Sequence, residues 1–206
     1  MVDLHPTAFF NMYKHRMLKL HSRFAKCILR FSQVLESLPD ALRYLYWDDY
    51  PFKSLPLSFT GENLVELKLQ YSKVERLWEG VQKLEKLKVI DLSFSSQLIE
   101  IPNLSQAPNI ESVTLRLCER LREVPSYFHD LEKLTSLDLE DCSSLEVVSA
   151  LPRNIIEVNL TCCTSLKSLP RNISVFKSLR RLELSGCLDF DYMNFREILE
   201  FLEGLE

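Results

Sequence analysis

An apolar lattice that returns at a nearly fixed interval constrains this chain more than anything else in it. From Leu134 to Val148 the apolar residues fall at Leu134, Leu137, Leu139, Cys142, Leu145 and Val148. Upstream the same spacing gives Ile110, Val113, Leu115, Cys118, Leu121 and Val124; downstream it gives Ile155, Val158, Leu160, Cys163, Leu166 and Leu169. The first residues of seven clear turns of the lattice are Leu42, Leu64, Leu87, Ile110, Leu134, Ile155 and Leu179, in steps of 22, 23, 23, 24, 21 and 24 residues. Self-similarity at this period marks a solenoid, in which each unit packs only on its neighbours. Within a unit the alternation of Leu137 and Leu139 puts both on one face of a short strand. No unit can bury its apolar residues alone, so stacking has to supply one continuous core. Full burial of a large aliphatic side chain contributes roughly 1.5–3 kcal/mol, which offsets ordering entropy only when neighbours cover both sides. At the Cys position the chain turns inward, and a small side chain has to fit there beside the turn's backbone groups.

The lattice is the leucine-rich-repeat pattern. It predicts an α/β fold: a horseshoe solenoid with a parallel β-sheet on the concave side and short helical turns or loops on the convex side. Leu137 is expected to be buried, and single helical turns are expected at Val81–Leu84 and Ile173–Phe176. Residues 1–40 are predicted to form a helical N-terminal cap with a degenerate first repeat. Leu4, Ala8, Phe9 and Met12 have helical spacing, His15, Leu18 and Leu20 take lattice positions, and Phe24, Cys27, Ile28, Phe31, Leu35 and Leu38 follow i, i+3, i+4, i+7 spacing. Residues 41–190 hold about seven repeats. In residues 191–206 Phe195, Ile198, Leu199, Leu202 and Leu205 line one face of an expected C-terminal helix.

Composition removes several alternatives. Only 4 glycines occur in 206 residues, which argues against Gly-rich phosphate loops. The net charge of −4 gives no global drive toward nucleic acid. One local exception runs from Lys14 to Arg30, where six basic residues meet no acid and no aromatic platform; a solvated face accounts for it. No apolar run is long enough to span a bilayer, and the opening residues lack the apolar core of a signal peptide. An intracellular, cytoplasmic or nucleo-cytoplasmic location is expected. Four of the 6 cysteines share one lattice position, which argues against a disulfide framework or a metal site; Cys27 and Cys162 are left over. The histidines, His5, His15, His21 and His129, are not placed near a nucleophile with a carboxylate partner. No catalytic residue, cofactor or metal is expected.

Recognition falls to the concave face, where residues between and after the lattice leucines point outward. Those selected as a protein-binding surface are Tyr44, Tyr46, Asp48, Asp49, Glu66, Lys68, Tyr71, Asp91, Phe94, Arg116, Asp138 and Glu140. Acids dominate the outward set, and aromatics cluster on the first three strands. Exposed aromatics beside charges suit a protein partner.

The segments Leu42-Arg43-Tyr44-Leu45 with Trp47, Tyr50-Pro51, Leu77-Trp78-Glu79-Gly80 and Ile90-Asp91-Leu92-Ser93 are more specific than the lattice. Together they resemble the leucine-rich-repeat region of plant TIR-type nucleotide-binding disease resistance proteins, over residues 4–188. The resemblance implies a non-catalytic segment of an intracellular immune receptor. It would sense pathogen effectors and restrain the nucleotide-binding switch, its partner being an effector or the receptor's own nucleotide-binding domain. This sequence holds no TIR domain and no phosphate loop, so the family's NAD-cleaving and nucleotide-switching activities do not carry over. The alternative is a free-standing repeat scaffold that bridges proteins without a switch.

Overall fold

A computed structural model describes residues 2–3, 5–21, 29–30, 33–170 and 176–190. Its strands are β1 (Val2–Asp3), β2 (Met17–Leu20), β3 (Leu29–Arg30), β4 (Tyr44–Trp47), β5 (Glu66–Lys68), β6 (Val89–Asp91), β7 (Ser112–Thr114), β8 (Glu123–Val124), β9 (Ser136–Asp138), β10 (Val147–Val148), β11 (Glu157–Asn159) and β12 (Arg181–Glu183). Eight of them form one parallel sheet in the order β12-β11-β9-β7-β6-β5-β4-β2, and each of its neighbouring pairs is in register at the lattice residue. The result is a ladder of Leu18, Leu45, Leu67, Ile90, Val113, Leu137 and Val158, all buried. Leu69, Leu92, Leu115, Leu139 and Leu160 make a second buried ladder two residues on. Period-2 alternation thus sends every lattice residue inward and leaves the residues between them on the concave face.

A third ladder closes the strands. Cys118, Cys142, Cys163 and Cys187 are buried, and each thiol donates to a carbonyl of the preceding repeat: Leu92 O (3.4 Å), Leu115 O (3.1 Å), Leu139 O (3.2 Å) and Leu160 O (3.1 Å). Ser95 takes the same place one repeat earlier, donating to Leu69 O at 3.2 Å, with Ser72 Oγ 2.7 Å away. The position demands a small donor because the strand-end carbonyl is buried and needs a partner. Burial pushes the Cys118 thiol up to about 12 and holds those of Cys142 and Cys163 well above the ordinary range. All described cysteines are free thiols.

At the N-terminal end larger side chains fill the same frame. Trp47 replaces the second leucine and Tyr50 the small residue; both are buried, with ring centroids 5.0 Å apart and nearly perpendicular. Phe9 packs edge-on to Trp47 at 5.9 Å. The helical N-terminal segment is not what forms. Ala8, Phe10, Met12 and His15 N–H groups donate to carbonyls three residues back, a chain of tight turns that leads into β2. Pro6 and Phe9 are buried and Met12 partly so, a short apolar contact that these turns make without the extended face a stable helix needs. The second expected helix fails for a different reason: its backbone pairs with the N-terminus. β3 pairs with β1, and Glu36 N–H donates to Pro6 O at 3.1 Å, so Leu35 and Leu38 are buried from non-helical chain. The rest of that stretch, and the C-terminal helix expected in 191–206, lie outside the described residues.

The convex side is mostly loop. A 3-10 helix spans Ser126–Asp130 after Pro125 and buries Phe128. Residues 81–84 do not turn helically. Gly80 sits at φ +66°, and Leu84 N–H donates to Gln106 O of the next repeat, so the backbone bonds run between repeats. The turn expected at 173–176 has only Phe176 described, and it is buried. β8 and β10 pair in parallel, extended to Ser168 by a single bridge, as a short sheet of their own.

Candidate recognition surface

Three outward columns run across the main sheet, with a fourth at its rim. The first column holds Met17, Tyr44, Glu66 and Val89; the second Lys19, Tyr46, Lys68, Asp91, Thr114 and Asp138, following the strand register. In the third, beyond the strands, Asp48 N–H donates to Leu20 O, so His21 and Asp48 stand side by side. The chain builds this face because side chains between the lattice residues have no core to enter.

Around Tyr46 the sequence-selected residues converge. Its hydroxyl donates to Glu66 Oε2 at 2.6 Å, and its ring lies against Tyr44 at 6.4 Å between centroids. Lys68 Nζ is 5.2 Å and Lys19 Nζ 5.8 Å from the ring centroid, within cation–π range. Lys68 also reaches Glu66 at 3.1 Å. Partial burial, with the Glu66 carboxylate beside it, pushes the Tyr46 hydroxyl up to about 12; the bond it donates holds Glu66 below the usual carboxylate range. Asp91 accepts from Gln70 Nε2 at 2.6 Å and from Ser93 Oγ at 2.6 Å. Arg116 joins the two later acids, 2.7 Å from Glu140 and 3.9 Å from Asp138. Desolvation raises the Asp138 carboxyl, opposed in part by the Glu140 N–H and by Arg116. Asp48 pairs with His21 at 2.5 Å.

The remaining three selected residues, Asp49, Tyr71 and Phe94, belong to the rim. There the chain takes a left-handed conformation once per repeat, at Asp49 (φ +56°), Tyr71 (+58°), Phe94 (+64°), Leu117 (+56°), Asp141 (+60°), Cys162 (+59°) and Gly186 (+78°). Tyr71 and Phe94 stack, with centroids 4.2 Å apart and planes 13° from parallel. The four aromatics thus pair as Tyr44–Tyr46 and Tyr71–Phe94. Lys19 and His21 lie on this face outside the set read from the sequence, while Gln70, Ser93 and Leu117, outward by the lattice reading, stand beside the selected residues. The signal for the first two was present: Leu18 and Leu20 set a frame in which Lys19 and His21 occupy the places of Tyr46 and Asp48. Among the described residues no group of three or more His, Cys, Asp or Glu is arranged to hold a metal ion, and no helix is long and apolar enough to cross a membrane.

Comparison with known proteins agrees with this architecture. A family model described as Leucine Rich Repeat matches residues 63–82. Disease resistance protein RPP2A of Arabidopsis thaliana is 37% identical over 206 residues, covering 99% of this chain and 14% of RPP2A. Disease resistance protein RML1A of the same plant is 42% identical over 146 residues, covering 68% of this chain and 14% of RML1A. The chain therefore spans about a seventh of the length of these relatives. The leucine-rich repeat domain of the type III effector XCV3220 (XopL) shares the fold with a TM-score of 0.61 at 23% identity, over 75% of this chain and 58% of that domain. The chain belongs to the leucine-rich-repeat proteins, and its sequence relatives are plant disease resistance proteins.

Proposed function

We propose that the concave face is a protein-recognition surface. The segment then serves as the sensing and regulatory part of an intracellular plant immune receptor, acting in the cytoplasm. It reads pathogen effectors and restrains a nucleotide-binding switch, without catalysing a reaction itself. The observation that carries the reading is the sheet. Eight parallel strands hold one open face of aromatic and charged side chains, fixed in place by Tyr46–Glu66, Arg116–Glu140 and Gln70–Asp91 contacts. Such a face is preorganised for a large partner, since side chains already paired lose little freedom on binding. The relatives' names tie it to disease resistance, and leucine-rich repeats are protein-interaction modules.

The test compares the parent segment with a Tyr44→Ser, Lys68→Ser variant as baits in extracts of healthy and infected leaf. Both are expected to melt within a few degrees of each other. Recovery of a pathogen protein or a nucleotide-binding protein by the parent, reduced at least tenfold in the variant, supports the reading. Equal recovery by both baits overturns it.

A further inference from the structure

Seven residues of the rim share one backbone conformation, and the fold does not need bulky side chains there. Asp49, Asp141, Cys162 and Gly186 adopt it as readily as Tyr71, Phe94 and Leu117. Left-handed backbone favours Gly, Asn and Asp, and is an outlier for large side chains. Three consecutive repeats nevertheless place Tyr71, Phe94 and Leu117 in it, and none of the three is buried in the core. Phe94 is 36% exposed and stacks on Tyr71. The stack and the bonds to the next repeat hold the conformation, and large side chains kept in it outside the core on three successive repeats point to function.

One backbone hydrogen bond per repeat ties the rim together. Each N–H donates to the carbonyl just before the next rim residue: Asp49 to Gln70 (2.9 Å), Tyr71 to Ser93 (2.9 Å), Phe94 to Arg116 (2.6 Å), Leu117 to Glu140 (2.8 Å) and Asp141 to Thr161 (2.8 Å). Neighbouring strands lie about 4.8 Å apart, so Asp49 and Asp141, four strands apart, are separated by about 19 Å. The row therefore reads acid, three apolar residues, acid. An extended peptide advances about 3.3 Å per residue, and alternate side chains face the same way. Six residues of extended chain cover about 20 Å on the same rise, so a segment laid along the rim presents positions 1, 3, 5 and 7 to it.

We infer that the rim row Asp49–Tyr71–Phe94–Leu117–Asp141 docks an extended segment of a partner protein of the form basic-x-apolar-x-apolar-x-basic. Its end cations meet Asp49 and Asp141, and its apolar residues meet the Tyr71–Phe94 stack and Leu117. This rests on the reading of the chain as a protein-recognition solenoid and adds the chemistry of the partner.

Fluorescein-labelled peptides of the sequence Ser-Arg-Ser-Leu-Ser-Leu-Ser-Arg-Ser test it by anisotropy against the whole segment. Two controls replace Arg by Glu, or Leu by Ser. The parent is expected to bind the first peptide at least tenfold more tightly than either control, with the preference for Arg falling as salt is raised. A Tyr71→Asn, Phe94→Asn, Leu117→Asn variant is expected to lose at least tenfold in that affinity with its melting temperature within a few degrees of the parent. Should the triple variant fold poorly, Phe94→Asn alone is expected to lose several-fold. Asp49→Asn with Asp141→Asn is expected to abolish discrimination between Arg and Glu. No binding, equal binding of the controls, or binding unchanged by the rim variants overturns the inference. So does a parent dimer in sedimentation that the triple variant dissolves, since a second copy would then cover the rim. The Tyr44→Ser, Lys68→Ser variant is expected to keep the peptide. If the peptide fails while bait recovery still depends on Tyr44 and Lys68, the rim is wrong and the broader reading stands.

Discussion

Cys162 and Cys163 are neighbours in sequence and answer to different physics. Cys163 is buried and donates to Leu139 O at 3.2 Å, inside a column shared with Ser72, Ser95, Cys118, Cys142 and Cys187. Cys162 is partly exposed, at φ +59°, in the rim row shared with Asp49, Tyr71, Phe94, Leu117, Asp141 and Gly186. In the inner column size and a single donor are fixed by the neighbouring repeat, so only Cys and Ser occur until Tyr50 widens the end of the core. In the rim row the backbone is fixed and the side chain is not, so acids, rings, Leu, Cys and Gly all appear. The lesson is that constraint in this fold changes completely over one residue, according to whether a side chain meets the next repeat or the solvent.

The hardest way to break the contrast is to move an acid across it. Asp141 is native to the rim; Cys142→Asp puts the same group in the column. A buried carboxylate there faces Leu115 O and is desolvated, with the Cys118 N–H as a partial offset; it costs several kcal/mol, so the cooperative urea transition should collapse or shift far down. Cys162→Asp places an acid where Asp49 and Asp141 already sit, and its midpoint should move by no more than about 0.5 kcal/mol. Comparable losses in both would erase the distinction.

Alkaline pH probes the inner column together with the buried tyrosines. Unfolded Cys118 ionises near its ordinary 9.0, and the folded thiol only at about 12. The fold therefore holds the proton more tightly, and its stabilisation, complete below pH 9, is lost as pH rises from about 9 to about 12. Tyr127, pushed by burial from 10.0 to about 12, acts in the same sense. Urea midpoints should fall between pH 8 and 11, and less steeply in Cys118→Ser, since serine already fills this position at Ser95. A midpoint independent of pH in that window would show that the column is open to water.

Reactivity gives a smaller and sharper number. Mild alkylation at pH 8 with peptide mapping should modify Cys162 at least tenfold faster than Cys163, equivalent to about 1.4 kcal/mol of protection. The reverse order would place the turn one residue away from where it is drawn.

The smallest effect is expected at the rim itself. Tyr71→Asn loses an aromatic pair worth about 0.5–1.5 kcal/mol and relieves left-handed strain of about 1 kcal/mol or more. The two nearly cancel, and the melting temperature should move by no more than a few degrees. Ser72→Asn, one residue on, has no strain to relieve and overfills a buried site; its loss should exceed that of Tyr71→Asn. If the order is inverted, the stack is structural.

How far the face could be read in advance differs from residue to residue. Arg116, Asp138 and Glu140 were selected as outward residues from the lattice alone, because period 2 fixes the face. Their mutual contacts were not legible, since they join repeats more than twenty residues apart. Lys19 and His21 are hard to read because the first repeat is degenerate, although Leu18 and Leu20 set its frame. Tyr71 and Phe94 were expected to contribute to one aromatic patch with Tyr44 and Tyr46; the backbone turns them onto the rim as a stacked pair of their own.

By itself the sequence determined which residues are core. Burying one face of every strand leaves no freedom in phase, and a lattice kept through seven repeats can be satisfied in only one register. It also determined the small inward column, because a buried carbonyl every repeat has to find a donor. Tertiary structure decided what the spacing left open. The N-terminal apolar residues have helical intervals, yet their backbone becomes turns and strand, because β4 and the segment around Glu36 offer partners that a lone helix lacks. The left-handed rim was likewise beyond any local preference. Tyr, Phe and Leu do not choose that conformation; the hydrogen bond from each rim N–H to the next repeat imposes it.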